Sequence, residues 1–232
     1  VTDPAIALSE LRFAYRGGAP VLDVPSLHVA RGERVFLHGP SGSGKTTLLG
    51  LITGVLAPGA GQVQVLGQDL GAMGSAARDR FRAAHIGYVF QMFNLIPYLS
   101  VRDNITLPLR LSAARRARLA GVDADTEAAR LAARLEIDAL LTQPVTSLSV
   151  GQQQRVAVAR ALIGAPELIV CDEPTSALDT DRRERFLDLL FASVAAVGST
   201  LLFVSHDLSL AARFGRTLAL PQLNRASREV AA

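Results

Sequence analysis

Gly39, Gly44, Lys45 and Thr46 fall in the order G-x-x-x-x-G-K-T inside "RVFLHGPSGSGKTTLLGLI" at 34–52. That spacing suits a backbone cradle for phosphate, provided a strand leads in and a helix leads out. "VFL" reads as a short buried strand and "KTTLLGLI" as the start of a helix. Gly39, Gly42 and Gly44, with Pro40, Ser41 and Ser43 between them, let the chain turn so that backbone N–H groups converge on an anion at the helix N-terminus. Lys45 reaches the β- and γ-phosphates as a compact charge, Thr46 is the expected ligand of Mg²⁺, and Thr47 sits beside a neighbouring phosphate. Of the 24 basic residues, 23 are Arg, and Lys45 is the single lysine. An arginine fork would fit such a nest badly. A glycine-rich turn that merely holds a lysine would not need the strand and the helix on either side.

A second cluster follows "ELIVCDEP" at 167–174. Leu168 to Cys171 form a continuous apolar run, the pattern of a strand covered on both faces. Asp172 and Glu173 close it at the C-terminal end, where open α/β sheets bind ligands. Asp172 is the candidate to hold Mg²⁺ through water, and Glu173 the candidate base for an attacking water. A third apolar strand, "TLLFVSHD", runs to His206, which is placed to reach the γ-phosphate or that water. His28, His38 and His85 lack such a setting and read as structural; Cys171 reads as a small buried residue.

"LSVGQQQR" at 148–155 poses a different problem. Ser149 followed three residues later by Gln152 is a capping box, and "QQQRVAVARALI" continues as an amphipathic helix. Capping is locally sufficient, but it does not explain Gly151, which costs about 1 kcal/mol relative to alanine. A bare glycine lets phosphate approach a helix N-terminus, with hydrogen bonds from Ser149 and Gln152 beside it. Since the chain already has one phosphate nest, the economical arrangement is two copies head to tail, each lending this turn to the other's nucleotide.

The elements that must position these groups can be placed coarsely. Strands are expected near 6–14, 21–29, 33–38, 62–66, 86–90, 167–171 and 200–204, with a helical stretch from about 92 to 165 that includes "EAARLAARLEI" at 127–137. "AARRARLAGVDADT" at 113–126, basic and then acidic, reads as a solvated helix and loop. A chain of 232 residues can bury a substantial core. Its net charge of +3 is dispersed rather than striped, which argues against a nucleic-acid groove. The one cysteine forms no internal disulfide, in keeping with a reducing cytosol. "LLGLITGVLA" at 48–57 is too short and too interrupted to span a bilayer, and "VTDPAIALSE" carries no signal-peptide pattern.

The ordered set "GPSGSGKTT", "YVFQ", "LSVGQQQR", "LIVCDEP", "SALD" and "VSHD" resembles the ATP-binding subunit of ATP-binding-cassette transporters over about residues 6 to 220. The resemblance implies an α/β fold: a RecA-like P-loop NTPase core, an N-terminal antiparallel β region and an inserted α-helical subdomain. In one cassette domain over 1–232, residues 1–91 and 166–232 would form the core and 92–165 the helical subdomain. It implies an ATPase using ATP and Mg²⁺, working as a homodimer with ATP at the interface.

Carried over residue by residue, Tyr15 resembles the aromatic that stacks on adenine. Gln91 resembles the glutamine that touches Mg²⁺ or the water and reports to a transmembrane partner. Ser149, Val150, Gly151 and Gln152 resemble the signature offered to the opposite protomer, and Asp179 the contact to that protomer. Val150 departs from the family, which has glycine there, so this position must take an ordinary backbone conformation.

With no span of its own, the chain implies a separate integral-membrane permease and a peripheral place on the cytosolic face of the inner membrane. The docking surface is expected beside Gln91, around Phe93, Leu95, Ile96, Tyr98 and Leu99. "SVRDNITLPL" resembles the lipoprotein-release, macrolide-export and cell-division branch. An importer ATPase for a small solute shares the general plan. A soluble family member acting on DNA or ribosomes would carry long insertions or tandem cassettes, and a P-loop kinase would leave "LSVGQQQR" without a role.

Overall fold

The structure is a computed structural model that describes residues 3–176 and 178–226. In chain order the strands and helices are β1 (Ile6–Ala14), β2 (Pro20–Val29), β3 (Arg34–His38), α1 (Lys45–Ile52), β4 (Ala60–Val65), β5 (Gln68–Asp69), α2 (Ser75–His85) and β6 (Ile86–Val89). There follow α3 (Val101–Leu111), α4 (Ala113–Ala117), α5 (Ala124–Arg134), α6 (Val150–Leu162), β7 (Leu168–Asp172), α7 (Thr180–Val197), β8 (Thr200–Val204), β9 (Arg216–Ala219) and α8 (Leu220–Leu223). Two compact units divide the chain, one running to Arg82 and resuming at Thr200, the other spanning Ala83–Ser199.

In the first unit β1 pairs antiparallel with both β2 and β4. Leu8 lies opposite Val63 and Leu11 opposite Val24, all fully buried; the odd spacing of the two leucines is absorbed by a bulge between Ser9 and Arg12, where Glu10 has φ 47°. Beside these strands, β3 lies parallel between β8 and β9, in the register Phe36↔Phe203 and Phe36↔Thr217. β3 and β8 are continuous apolar runs because both faces are covered. Phe36, Phe203 and Phe214 form the aromatic centre, with ring centroids 5.1–6.1 Å apart. β9, which no apolar run announces, is held by pairing with β3 alone.

The second unit joins the parallel pair β6 and β7, in the register Val89↔Cys171, to α3, α5, α6 and α7. Helix α6 packs directly on β6: a Cβ at Gly87 would lie 2.3 Å from the Ala161 carbonyl, so only glycine admits that approach. Helix α5 begins earlier than the sequence pattern suggests because Asp123 caps it, accepting from the Thr126 N–H at 2.9 Å.

The stretch 113–126 corrects the sequence expectation at its basic end. Arg115 is buried, at 2% exposure, and its guanidinium donates to the carbonyls of Ala83, Ile86, Ala161 and Ile163 at 2.5–3.1 Å. Arg118 donates to the Ala84 carbonyl and to Glu167. Only Arg116 of this trio is exposed. The charge is tolerated inside because every donor meets a carbonyl, two of them orphan acceptors of the last turn of α6.

Candidate active site

β3 ends at His38, and the loop 39–44 delivers the chain into α1. Gly44 takes the left-handed conformation (φ 95°) as the residue before the helix, where any Cβ would also lie 2.9 Å from the Leu22 side chain. Gly39 is equally constrained, since a Cβ there would sit 2.7 Å from Ser43 Oγ. Pro40, Ser41 and Gly42 are exposed, Ser43 is buried, and α1 carries no acidic residue in its first turn. Its N-terminal field is therefore left to an external anion. Lys45 is buried with its ammonium in the loop, Nζ donating to the carbonyls of Gly39 at 2.8 Å and Pro40 at 3.0 Å. Thr46 is exposed, Thr47 buried.

Tyr15 is brought to the same place: its hydroxyl lies 3.2 Å from Thr47 Oγ1, and Phe13 meets its ring edge-on at 5.0 Å. Half of Tyr15 remains exposed (51%), which leaves a ring face open. His206 is exposed two residues beyond β8, and β8 runs beside β3 in the register Leu37↔Val204. The first unit thus gathers the phosphate loop, Tyr15 and His206. His38 stacks on Phe36, and His28 is exposed beside Ser26.

The second unit gathers the rest. Gln91 and Glu173 each stand two residues beyond the paired Val89 and Cys171, so they share one edge of the β6–β7 pair. Asp172 closes β7, and its Oδ2 accepts the Tyr88 hydroxyl at 3.3 Å. Burial first, then the neighbouring Asp172 charge, push the Tyr88 phenol far above its ordinary range, so it stays a proton donor to that carboxylate. Burial pushes the Cys171 thiol up as well and leaves it inert. Glu173 has φ 47°, a left-handed conformation unusual for a non-glycine residue. Among the described residues no group of three His, Cys, Asp or Glu could enclose a metal ion. Thr46 in the first unit and, separately, Asp172 in the second each offer an oxygen donor of the kind Mg²⁺ takes.

α6 begins with the capping box read from the sequence. Ser149 Oγ accepts from the Gln152 N–H, and Gln152 Oε1 accepts from the Ser149 N–H at 2.9 Å. Val150 is the first helical residue, exposed and without positive φ. Gly151 has nothing within 4 Å of an added Cβ. Asp179 is exposed and caps α7, accepting from the Arg182 N–H at 3.0 Å. Ala177, the second residue of "SALD", lies outside the described residues.

Residues 22–176 match the ABC transporter family. This chain belongs to that family. It is an ATP-binding, ATP-hydrolysing ABC subunit, and its fold is the α/β cassette. The ABC transporter ATP-binding protein YbbA of Escherichia coli K12 is 42% identical over 200 residues, 86% of each chain. The lipoprotein-releasing system ATP-binding protein LolD of Anaeromyxobacter dehalogenans is 40% identical over 223 residues, 95% of this chain and 92% of its own length. Among solved structures, the dimeric post-hydrolysis state of the cassette MJ0796 bound to ADP and Pi superimposes with a TM-score of 0.82 at 31% identity, covering 96% and 95% of the two chains.

Three supports of this ABC subunit escape a reading of its motifs. Tyr88 holds Asp172, Arg160 holds the turn after Gln91 through the carbonyls of Phe93 and Asn94, and Gln154 reaches the carbonyl of Pro174. Each joins segments 20 to 84 residues apart, so no local pattern announces them. Beside Gln91 a cavity of about 290 Å³ is lined by Met92, Phe93, Leu95, Pro97, Val145 and Gln153. Phe93 is core, whereas Met92 and Tyr98 are exposed (81% and 84%) and Leu95, Ile96 and Leu99 half-buried. Asn104, fully buried, braces this segment by accepting from the Ile96 N–H and donating to the Ile96 carbonyl. Among the described residues no helix is long and apolar enough to cross a membrane.

Proposed function

We propose that two copies of this chain close head to tail around two ATP molecules and that hydrolysis drives a separate membrane permease on the cytosolic face of the inner membrane. Gly151 carries the reading. It sits on an ordinary helical backbone, in space its own chain leaves empty, at a cost to the helix of about 1 kcal/mol. Among the described residues nothing calls for glycine there. A phosphate from another copy does, with the helix N-terminus behind it and the Ser149 hydroxyl beside it.

In this reading Tyr15 stacks on adenine, the loop from Gly39 to Thr47 encloses the phosphates, and Lys45 neutralises charge on the β- and γ-phosphates. Thr46, Asp172 and Gln91 would hold Mg²⁺, which when bound would neutralise charge on the phosphates. Glu173 accepts the proton of the attacking water, while Gln91 and His206 orient it. Asp179 contacts the opposite copy. Residues 92–165 act as the helical subdomain, and its cavity beside Gln91, which mixes apolar Met92 and Leu95 with polar Asn94 and Gln153, takes a short helix of the permease. The similarity to LolD favours the lipoprotein-release branch.

Glu173→Gln removes the base while keeping the hydrogen-bonding shape, so this variant is expected to accumulate as an ATP-bound dimer in size-exclusion chromatography with light scattering. A protein that stays monomeric at saturating ATP and Mg²⁺ would overturn the head-to-tail arrangement.

A further inference from the structure

The three glutamines of "LSVGQQQR" have three different partners. Gln152 closes the capping box, and Gln153 donates to the carbonyls of Val145 and Leu148, both at 3.2 Å. Gln154 leaves its own neighbourhood: at 1% exposure, its Nε2 donates to the Pro174 carbonyl at 2.8 Å. Pro174 follows Glu173 directly. We propose that Gln154 is a positioning residue that couples the helix serving the partner copy's nucleotide to the glutamate serving the chain's own.

A buried amide that only filled space would be costly where leucine or methionine would do. Here the amide meets a carbonyl at the corner that carries Glu173. Glu173 carries the strain of φ 47°, Pro174 has no N–H to contribute, and a local bond runs from the Ser176 N–H to the Glu173 carbonyl at 3.3 Å. Gln154 adds a tertiary tie to that corner from one turn beyond Gly151. A shift of α6 as its N-terminus takes up phosphate is passed through one hydrogen bond to the backbone that aims Glu173. Each protomer thereby adjusts its own base according to whether it is serving its partner.

This inference rests on the head-to-tail reading, and mixed dimers separate the two. One protomer carries Glu173→Gln, so that a single site turns over, built from the other protomer's Glu173 and the first protomer's signature. Gln154→Met, which keeps volume and loses the donor, is then placed on either protomer. Coupling predicts that Gln154→Met lowers kcat by about tenfold only on the protomer that supplies Glu173, and only while that protomer's own signature meets ATP in the inactive site. Lys45→Ala on the Glu173→Gln protomer empties that site and should remove the difference. KM for ATP and nucleotide binding to the separated protomers should stay within about twofold. A loss on the protomer that supplies the signature would mean a helix support, and an equal loss that persists with the inactive site empty a loop support; either result, or no loss, overturns the coupling. If Gln154→Met does not fold, Gln154→Asn, one methylene too short to reach Pro174, carries the same comparison. Parent proteins that fail to pair with ATP would remove the dimer and this inference together, whereas normal pairing with either of those overturning results removes only the role of Gln154.

Discussion

Arg115→Met is the substitution whose outcome depends most on the folded structure rather than on the sequence pattern. The arginine lies in a run that looks solvated, yet its guanidinium satisfies four backbone carbonyls. A buried acceptor left without its donor costs about 1–3 kcal/mol, so four lose about 4–12 kcal/mol. Removing the charge gives something back. Burial, and then the nearby Arg118 charge, push the Arg115 guanidinium down to about 10 from the usual 12.5, a penalty of about 3 kcal/mol recovered on substitution. The carbonyls outweigh it, and partial relaxation leaves a net loss of about 3–5 kcal/mol. For a chain of this size that lowers Tm by roughly 6–20 °C. Thermal unfolding followed by circular dichroism measures it, with Arg116→Met, exposed and adjacent, as the control expected to change stability by less than about 0.5 kcal/mol. Equal and small shifts for both variants would refute the argument that the buried fork holds the end of α6.

Gly151→Ala should stabilise the separated protomer by up to about 1 kcal/mol, because alanine is the better helix former and meets nothing. It should also lower ATP turnover, so steady-state kinetics and melting would move in opposite directions. Glu167 gives a pH test. Burial raises its pKa, but the hydrogen bond with His85 at 3.0 Å and the Arg118 charge outweigh that, and the carboxyl titrates below its usual range. A depressed carboxyl contributes stability above its unfolded pKa and loses it as pH falls through the folded value. The wild-type Tm should therefore drop more steeply on acidification through that window than the Tm of Glu167→Gln.

What was legible in the sequence was what the chain writes locally. The phosphate loop, the β7 carboxylates and the Ser149–Gln152 capping box are contiguous, and each appears where the spacing places it. Strands with continuous apolar runs, β3, β7 and β8, were equally plain. β9 was not, because a four-residue strand with exposed Arg216 and Thr217 exists only through its pairing with β3. Arg115 was misread for the same reason. Its neighbours Arg116 and Arg118 share its chemistry, and what separates them is a set of carbonyls 29 to 48 residues away. The glutamine row could be read only in part, since Gln152 acts within its own turn and Gln154 does not.

These supports give α6 a polarity. Its last-turn carbonyls are answered by a buried cation, the favourable sign for that end of a helix. Its last turn packs on β6 through the close approach of Ala161 to Gly87, and its first half reaches the Glu173–Pro174 corner through Gln154. The first turn carries no acidic residue, so its partial positive charge is met by a hydroxyl and an amide but by no anion. A helix serving only its own fold gains about 0.3–1 kcal/mol from an Asp or Glu at that end, and several positions there could have supplied one. Leaving that stabilisation unused, and spending a glycine beside it, is intelligible if an anion arrives from outside. The buried arginine holds the helix from below, so the open turn can meet that anion without shifting the carbonyl end.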